Sequence, residues 1–227
     1  MGTAQIGVIP SSSPSAIETY HLEELKVALD PAHPNHILPP PIAASKRVLD
    51  IGCGAGQTLI ARYPDRFSFG IDIDADALKL GRSLTDRIGF ACATAERLPF
   101  PDAHFDMVVA RVSLAYANLR KELKEIHRVL REDGQLWMTL NQFSFAWKQA
   151  KGANWKGRAF FGYVFLNSAA FHLVQRQFSF LGRYESFQTA KGMSRALKQN
   201  GFDSISATLA GSTGQHLLVT ARRRRLR

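Results

Sequence analysis

Short apolar runs alternate with segments of helical spacing along residues 48–140. Largely apolar runs predict strands, and apolar residues that recur every three or four positions predict helices. The predicted helices are residues 58–62, a helix that Asp74 caps and that ends near 82–86, and residues 119–130, closed by 131–134. The predicted strands are residues 48–51, 67–72, 89–93, 105–110 and 135–140. This alternation is typical of an α/β domain with a mostly parallel sheet, whose ligands bind at the carboxyl ends of the strands.

The N-terminal part of the chain differs from this pattern. Residues 1–15 are rich in serine, proline and small residues and are predicted to be disordered. Residues 17–29 predict an amphipathic helix with leucines on one side. Residues 31–41 are proline-rich and must be extended. This segment is either a lid that brings Tyr20, His33 or His36 over the loop after the first strand, or a connector with surface histidines.

The C-terminal part contains a segment dense in aromatic residues. Residues 143–187 hold most of the chain's aromatic side chains, interspersed with lysine and arginine. They predict a helical insertion that covers the active site and offers an apolar pocket, or a subdomain whose aromatics form its own core. Thr189 is predicted to cap a helix that ends at Asn200 and Gly201, and residues 202–209 and 216–221 predict a final strand pair.

Length and composition fit one elaborated domain with a full core, since 227 residues are 45% hydrophobic. We expect a cytoplasmic protein, because the sequence shows no apolar run of membrane-spanning length and no signal peptide. Cys53 and Cys92 form neither a disulfide framework nor a metal-binding spacing, so we expect no metal site. The predicted organisation is an N-terminal region (1–45), a catalytic domain (46–221) with the insertion at 143–187, and a basic tail (222–227).

The net charge of +10 is a possible sign of phosphate binding. Five arginines of this excess lie within 222–227. We expect this tail to be frayed and solvated; the alternative is a weak contact with an acidic lipid surface or with nucleic acid.

A glycine-rich turn follows the first predicted strand. In the sequence Val-Leu-Asp-Ile-Gly-Cys-Gly-Ala-Gly, Gly52, Gly54 and Gly56 permit positive φ values and a close backbone approach, and the next helix offers unpaired N–H groups. The glycines alone are also compatible with an ordinary strand-to-helix turn. About 20 residues later Asp72 ends the second predicted strand. In nucleotide-binding sites a carboxylate at the end of the second strand holds the ribose.

Four motifs together resemble one family. The glycine loop, Gly-Ile-Asp-Ile-Asp at 70–74, Ala-Glu-Arg-Leu-Pro-Phe-Pro-Asp at 95–102 and Arg-Val-Leu-Arg-Glu-Asp-Gly at 128–134 are similar, in order and spacing, to the motifs of class I S-adenosylmethionine-dependent methyltransferases. The similarity covers residues 46–141 and points to the branch of small-molecule and quinone-biosynthesis enzymes. A nicotinamide-dependent dehydrogenase is the main α/β competitor, and the ordered motifs disfavour it.

The resemblance implies a three-layer Rossmann-like α/β fold, with a mostly parallel seven-stranded sheet, a C-terminal antiparallel strand and the helical insertion. It implies S-adenosyl-L-methionine as cofactor and S-adenosyl-L-homocysteine as product. Asp50 and the glycine loop would hold the methionine part, Asp72 the ribose hydroxyls and Ile73 the adenine face. Many relatives have an acid where this chain has Thr94, so the adenine amino group would contact Thr94 or Glu96. The complete set of implied cofactor-binding residues is Asp50, Gly52, Cys53, Gly54, Gly56, Asp72, Ile73, Thr94, Ala95, Glu96, Ala110, Arg111 and Tyr20.

Methyl transfer needs a general base only when the nucleophile is protonated and weakly acidic. His33, His36 and Tyr116 are the candidate bases, each with a purely structural role as the alternative. We expect the partner to be a small, aromatic or lipophilic methyl acceptor. Methylation of RNA is the alternative, although the residues after the fourth strand lack the signature of enzymes that act on base amino groups. A non-catalytic cofactor-binding protein is a third possibility, and the chain could be a monomer or a homodimer.

Overall fold

The elements follow the predicted alternation of strands and helices. The computed structural model describes residues 15–114, 116–141, 147, 150–180, 184–211 and 216–225. The predicted disorder of residues 1–14 therefore lies outside the described residues. In chain order the elements are α1 (Ala16–Leu29), β1 (Val48–Ile51), α2 (Gln57–Arg62), β2 (Ser68–Asp72), α3 (Ala75–Leu84), β3 (Ile88–Cys92), β4 (Phe105–Arg111), α4 (Leu119–Val129), β5 (Leu130–Asn141), α5 (Trp155–Val174), α6 (Ala190–Gln199), β6 (Phe202–Ala210) and β7 (His216–Arg223).

Seven strands form one sheet in the order β3-β2-β1-β4-β5-β7-β6. The pairs from β3 to β5 are parallel, whereas β7 runs antiparallel to both β5 and β6. The predicted mostly parallel sheet with an antiparallel C-terminal strand is thus confirmed. Because β1 has β2 on one side and β4 on the other, the connections leave in opposite directions there and open a crevice at the carboxyl ends.

Alternate residues of the central strands belong to two separate cores. Leu49 of β1 and Val108 of β4 pack in the cluster that includes α4, α5 and α6. Val48 and Met107, one position earlier, pack with Leu59 and Tyr63 on the α2 side. This period of two, with helices on both faces, explains the continuous burial of β1 and gives the three predicted layers.

Side-chain caps fix where the helices begin. The Asp74 carboxylate accepts hydrogen bonds from the N–H groups of Asp76 and Ala77, and the Thr189 hydroxyl accepts one from Gly192, so both predicted caps are confirmed. The predicted end of α4 is wrong. The helix ends at Val129, and Leu130 is already extended and pairs with Phe105 of β4. Residues 131–134 form the irregular start of β5 instead of a helix-closing turn.

The proline-rich segment is held against α2 and the turn that follows it. The Tyr63 hydroxyl donates to the Pro40 carbonyl (2.8 Å), and the Arg62 Nε donates to that of Pro39 (2.6 Å). The Arg66 guanidinium donates to the carbonyls of Ile42 (2.8 Å) and Ala43 (2.6 Å). Residues 31–41 contain no helix or strand, as predicted, and these contacts make the segment a connector.

The basic C-terminus is more ordered than predicted, because β7 extends through Arg223. Arg222 donates to the Asp133 carbonyl (3.1 Å), and Arg225 forms an ion pair with the Asp133 carboxylate. The prediction of a frayed tail from residue 222 is therefore wrong as far as Arg225. Part of the positive charge is neutralised within the fold.

We expect Gly56→Ala to destabilise the protein by about 2 kcal/mol or more. Gly56 has φ +85°, where an L side chain is strained, and a Cβ would lie 2.8 Å from Cδ1 of Ile88. The matched control is Gly162→Ala in α5, where a Cβ meets nothing within 4 Å, and it should be neutral or slightly stabilising. Urea unfolding of the two variants measures the difference; equal midpoints would contradict the steric argument.

Candidate functional site

A cavity of about 670 Å³ opens at the carboxyl ends of β1, β2 and β4. Its volume lies within the range of about 300–1,000 Å³ that is usual for small-molecule sites. Most of the predicted cofactor-binding residues line it, namely Tyr20, Gly52, Cys53, Gly54, Asp72, Ile73, Thr94, Ala95, Glu96 and Arg111. Asp50, Gly56 and Ala110 do not line the cavity. Asp50 and Ala110 are buried in the strands behind it, and Gly56 packs against Ile88 and Phe90.

The glycine loop is held by the end of β2. The Ile71 carbonyl accepts hydrogen bonds from the N–H groups of Gly52 (2.8 Å) and Cys53 (2.9 Å). Gly52 has φ +69°, and a Cβ there would overlap the Ser113 side chain. A side chain at this position would thus be excluded by both backbone strain and contact with the segment after β4.

Asp72 is oriented by two backbone donors. Its Oδ2 accepts from the Gly54 N–H (2.8 Å), and its Oδ1 accepts from the Asp74 N–H (2.9 Å). Each carboxylate oxygen has a further lone pair, so both can accept another hydrogen bond. The carboxylate is therefore fixed in position while it retains acceptor capacity toward the cavity.

Asp50 is fully buried directly behind the glycine loop, and its Oδ1 has no hydrogen-bond partner among the described residues. Burial raises the pKa of Asp50 to about 8; Arg111 opposes this shift and Asp72 adds to it. The site therefore contains a buried acid that lacks compensation within the protein.

Helix α1 covers the cavity, which corrects the prediction that residues 31–41 form the lid. Tyr20, His21 and Glu24 of α1 line the cavity. The His21 Nδ1 lies 2.8 Å from the Gln57 Nε2, and Glu24 forms an ion pair with Arg111. Two side-chain contacts thus attach α1, one to α2 and one to the end of β4.

His33 and His36 do not line the cavity, which corrects their assignment as candidate bases. The His33 Nδ1 accepts from the Asn35 N–H (3.1 Å), and the His36 Nδ1 lies 3.3 Å from the Val27 carbonyl. Both imidazoles stabilise the turn after α1. Tyr116, the third candidate, does line the cavity.

Glu96 is engaged in holding the start of α4. Its Oε1 accepts from the Asn118 N–H (2.9 Å) and its Oε2 from the Lys121 ammonium (3.1 Å). Thr94 also lines the cavity. Of the two alternatives for an adenine contact, the structure favours Thr94.

Glu122 is a cavity residue that sequence reasoning missed. It is buried, and its Oε2 lacks a hydrogen-bond partner among the described residues. Burial, with a smaller contribution from Glu96, raises the pKa of Glu122 well above the usual range. The sequence pattern already indicated this residue, because Glu122 occupies the apolar face of α4 between Leu119 and Ile126. The other missed polar lining residues are His21, Glu24, Gln57, Thr58 and Ser113.

The aromatic insertion does not cover the cavity. None of its described residues line it, which corrects the prediction of a roof. The insertion reaches only the rim, where the Gln177 Oε1 accepts from the Leu119 N–H (2.8 Å). Its rings pack on one another, for example Phe165 on Phe187 with centroids 6.0 Å apart, as the alternative of a subdomain core predicts. Predicted pocket residues at 143–146, 148–149 and 181–183 lie outside the described residues.

The cavity is acidic although the chain is basic. Its described lining residues include four with carboxyl side chains (Glu24, Asp72, Glu96 and Glu122) but only one lysine or arginine, which is Arg111. Glu24 is paired with Arg111, Glu96 is paired with Lys121, and burial favours the neutral form of Glu122. Asp72 therefore supplies the lining charge that attracts a cationic ligand, and Arg111, being paired, is not free to bind a phosphate. The described part of the chain contains no cluster of three or more histidine, cysteine or acidic residues placed to hold a metal ion.

Comparison with known proteins points to one family. Residues 49–138 match the family described as "Methyltransferase domain". The uncharacterized methyltransferase YcgJ of Bacillus subtilis is 37% identical over 99 residues, which are 40% of this chain and 39% of the relative. The 27-O-demethylrifamycin SV methyltransferase of Amycolatopsis mediterranei is 37% identical over 105 residues (42% and 39%). The ubiquinone/menaquinone biosynthesis C-methyltransferase UbiE of Pseudomonas putida is 38% identical over 107 residues (42% and 41%). The matches thus span about two fifths of each curated relative.

Solved structures extend the likeness of fold to most of the chain. The crystal structure of YcgJ from Bacillus superposes with a TM-score of 0.56 at 18% identity, covering 91% of this chain and all of the other. A methyltransferase solved in complex with the Trm112 activator, from Haloferax volcanii, gives 0.64 at 15% identity over 94% of this chain and all of the other. The family match begins after α1 and ends before α5, so it includes neither α1, which covers the cavity, nor the aromatic insertion.

We expect the unfolding free energy of the Asp50→Asn variant, relative to that of the wild type, to increase as the pH rises from about 4 toward 8. A carboxyl group titrates near pH 4 in the unfolded chain, whereas the pKa of Asp50 is about 8 in the fold. The folded state therefore binds the proton more tightly, and this contribution to stability is lost as the pH rises through that window.

Urea unfolding of both proteins at a series of pH values, without ligand, measures this dependence. The difference in unfolding free energy should level off above about pH 8, because Asp50 is then ionised in both states. A pH-independent difference would show that Asp50 does not titrate in this window.

Proposed function

We propose, from the match of residues 49–138 to the family described as "Methyltransferase domain", that this chain is a class I S-adenosylmethionine-dependent methyltransferase that transfers a methyl group to a small acceptor. The observation that carries the proposal is the acidic cavity at the end of the glycine loop. S-adenosyl-L-methionine carries a positive charge on sulfur and another on its amino group. The Asp72 carboxylate and the unsatisfied Oδ1 of Asp50 behind the loop suit such a ligand.

The lining residues fit the parts of this cofactor. Asp72 would accept hydrogen bonds from the ribose hydroxyls, since two backbone donors already fix its carboxylate. The backbone at Gly52 and Gly54, with Asp50 behind it, would hold the methionine part. Ile73 would pack on the adenine ring, and Thr94 would reach its edge. When bound, the cofactor supplies a methyl group on a positively charged sulfur.

The remaining work of the chain is to align the reactants and exclude water. Helix α1 closes the cavity through the contacts of His21 with Gln57 and of Glu24 with Arg111. The product S-adenosyl-L-homocysteine has lost the charge on sulfur, so the carboxylate lining favours the cofactor over the product. This difference in electrostatic attraction favours replacement of the bound product by a new cofactor molecule after turnover.

Two side chains in the cavity can handle a proton from the acceptor. The Tyr116 hydroxyl lines the cavity, and burial, with a smaller contribution from Glu185, raises the pKa of Tyr116. The buried Glu122 carboxyl is held protonated below its raised pKa and can donate a hydrogen bond to an acceptor oxygen. Each can take a proton from the acceptor only in its ionised form, which its raised pKa makes scarce at neutral pH. On that condition these two residues replace His33 and His36 as candidates for proton transfer.

A small-molecule acceptor agrees better with the site than a nucleic acid does. The carboxylate lining would repel a nucleic acid backbone, which disfavours the RNA alternative that the net charge suggested. Two relatives are named for a rifamycin and for quinone biosynthesis, and both of these concern small molecules.

Calorimetry should show binding of S-adenosyl-L-methionine to the wild type, and binding to Asp72→Ala should be at least about tenfold weaker. A lost pair of charge-assisted hydrogen bonds costs this much or more. Asp86→Ala removes an exposed carboxylate between α3 and β3 and should bind like the wild type. No binding by the wild type, or unchanged binding by Asp72→Ala, would refute the cofactor assignment.

A methyl-transfer screen of phenols, quinones, lipophilic amines and RNA should label a small lipophilic acceptor. With the best acceptor, Tyr116→Phe and Glu122→Gln test proton transfer. Substitution of the residue that transfers the proton should lower kcat by about a hundredfold or more and alter the pH profile of kcat, while the affinity for the cofactor stays the same.

Glu132→Gln is the matched control, since this carboxylate is exposed at the start of β5. Labelling of RNA alone, with a steep loss at higher salt, would refute the small-molecule proposal.

A further inference from the structure

Helix α5 has an apolar face that nothing in the described structure covers. Trp155, Leu166 and Leu173 are 75%, 74% and 70% exposed. At 100° per residue they lie within a narrow stripe along the helix, together with Ala159, Gly162 and Ala169. We call this set the α5 stripe.

The opposite face of α5 is firmly attached to the protein. Val164, Asn167 and Phe171 are buried. The Asn167 side chain binds the returning chain, accepting from the Phe178 N–H (2.7 Å) and donating to the carbonyls of Tyr184 and Glu185 (both 3.1 Å). The inner face therefore explains how α5 is anchored, and the α5 stripe points away from it.

The sequence that contains the α5 stripe is basic. Residues 147–184 include no aspartate or glutamate, and six lysines or arginines. Lys156 and Arg158 flank Trp155 on either side of the helix, and Arg176 lies just beyond its C-terminal end; all three are exposed. The Lys156 ammonium lies 5.6 Å from the centre of the Trp155 ring.

We propose that the α5 stripe docks on an anionic lipid surface, with the helix lying in the plane of the interface. Exposed tryptophan and leucine would enter the boundary between head groups and acyl chains, and the flanking cations would contact lipid phosphates. No helix among the described residues is long and apolar enough to cross a membrane, which is consistent with a helix that lies on the surface. The charge pattern favours an anionic bilayer over a second copy of this chain, whose stripe would carry the same positive charge.

This inference does not depend on the proposed methyl transfer, because it needs neither cofactor nor acceptor. It assigns the insertion a role other than covering the cavity. A lipophilic acceptor dissolved in a bilayer would be concentrated next to a protein that docks in this way.

Co-sedimentation of the full chain with lipid vesicles tests the proposal. The protein should sediment with vesicles of equal parts phosphatidylcholine and phosphatidylglycerol, and less with vesicles of phosphatidylcholine alone. The variant Leu166→Glu with Leu173→Glu should bind at least about tenfold more weakly, because two side chains no longer enter the apolar region. The matched control is Leu209→Glu on β6, whose leucine is 67% exposed and lies outside the stripe.

A second pair of variants tests the charges. Lys156→Glu with Arg158→Glu should weaken binding to the anionic vesicles and reduce its dependence on salt. Lys79→Glu with Lys198→Glu changes the net charge equally on α3 and α6 and should have a smaller effect. Circular dichroism and thermal unfolding confirm that each variant is folded, as expected for exposed positions.

Three outcomes would overturn the proposal. The first is the absence of wild-type binding to anionic vesicles. The second is equal binding by the wild type and the double leucine variant. The third is a wild-type dimer in sedimentation velocity that the leucine changes convert to a monomer without affecting vesicle binding, since the α5 stripe would then be a self-association surface.

Discussion

The last residues of β2 hold the cavity together. The Ile71 carbonyl binds the N–H groups of Gly52 and Cys53, and the next residue, Asp72, binds those of Gly54 and Asp74. One short stretch of strand therefore fixes the glycine loop and the start of α3 at the same time. The loop has few side chains of its own with which to determine its shape, so its conformation depends on these acceptors.

This arrangement places acidic groups where the fold satisfies them incompletely. Asp50 and Glu122 are buried, each with an oxygen that has no partner among the described residues, and Asp72 keeps acceptor capacity. Buried carboxyls of this kind cost stability unless a ligand compensates them. The site thus carries an electrostatic cost in the free protein that a cationic ligand can offset, which links affinity for the ligand to the stability of the fold.

Local chemistry made much of the fold predictable. Strand boundaries, the Asp74 and Thr189 caps and the glycine loop each follow from patterns within a few residues. The contacts that were mispredicted depend on partners far away in sequence. The proline-rich segment lies beside α2 because Arg62 and Tyr63 bind its carbonyls, and β5 begins early because Leu130 pairs with Phe105.

The same distinction applies to the site. The residues that line the cavity from the strand ends were predicted by motif. Of the α1 residues only Tyr20 was predicted, whereas His21 and Glu24 were not, because only tertiary packing places His21 beside Gln57. Glu122 is an exception. A carboxylate on the apolar face of a predicted helix is visible in the sequence, and its conflict with the hydrophobic pattern indicates a site residue.

The way α1 is attached has a kinetic consequence. The proline-rich segment joins α1 to the sheet, and Arg66 binds the carbonyls of Ile42 and Ala43 directly after it. Proline makes such a segment stiff. Moving α1 away from the cavity would break the Glu24 ion pair to Arg111 and the contact between His21 and Gln57, and would separate Leu25 from Leu80 and Leu84. A charge pair is thus among the contacts that close the cavity, so ionic strength should influence how fast the protein exchanges its ligand even where it leaves the chemistry unchanged.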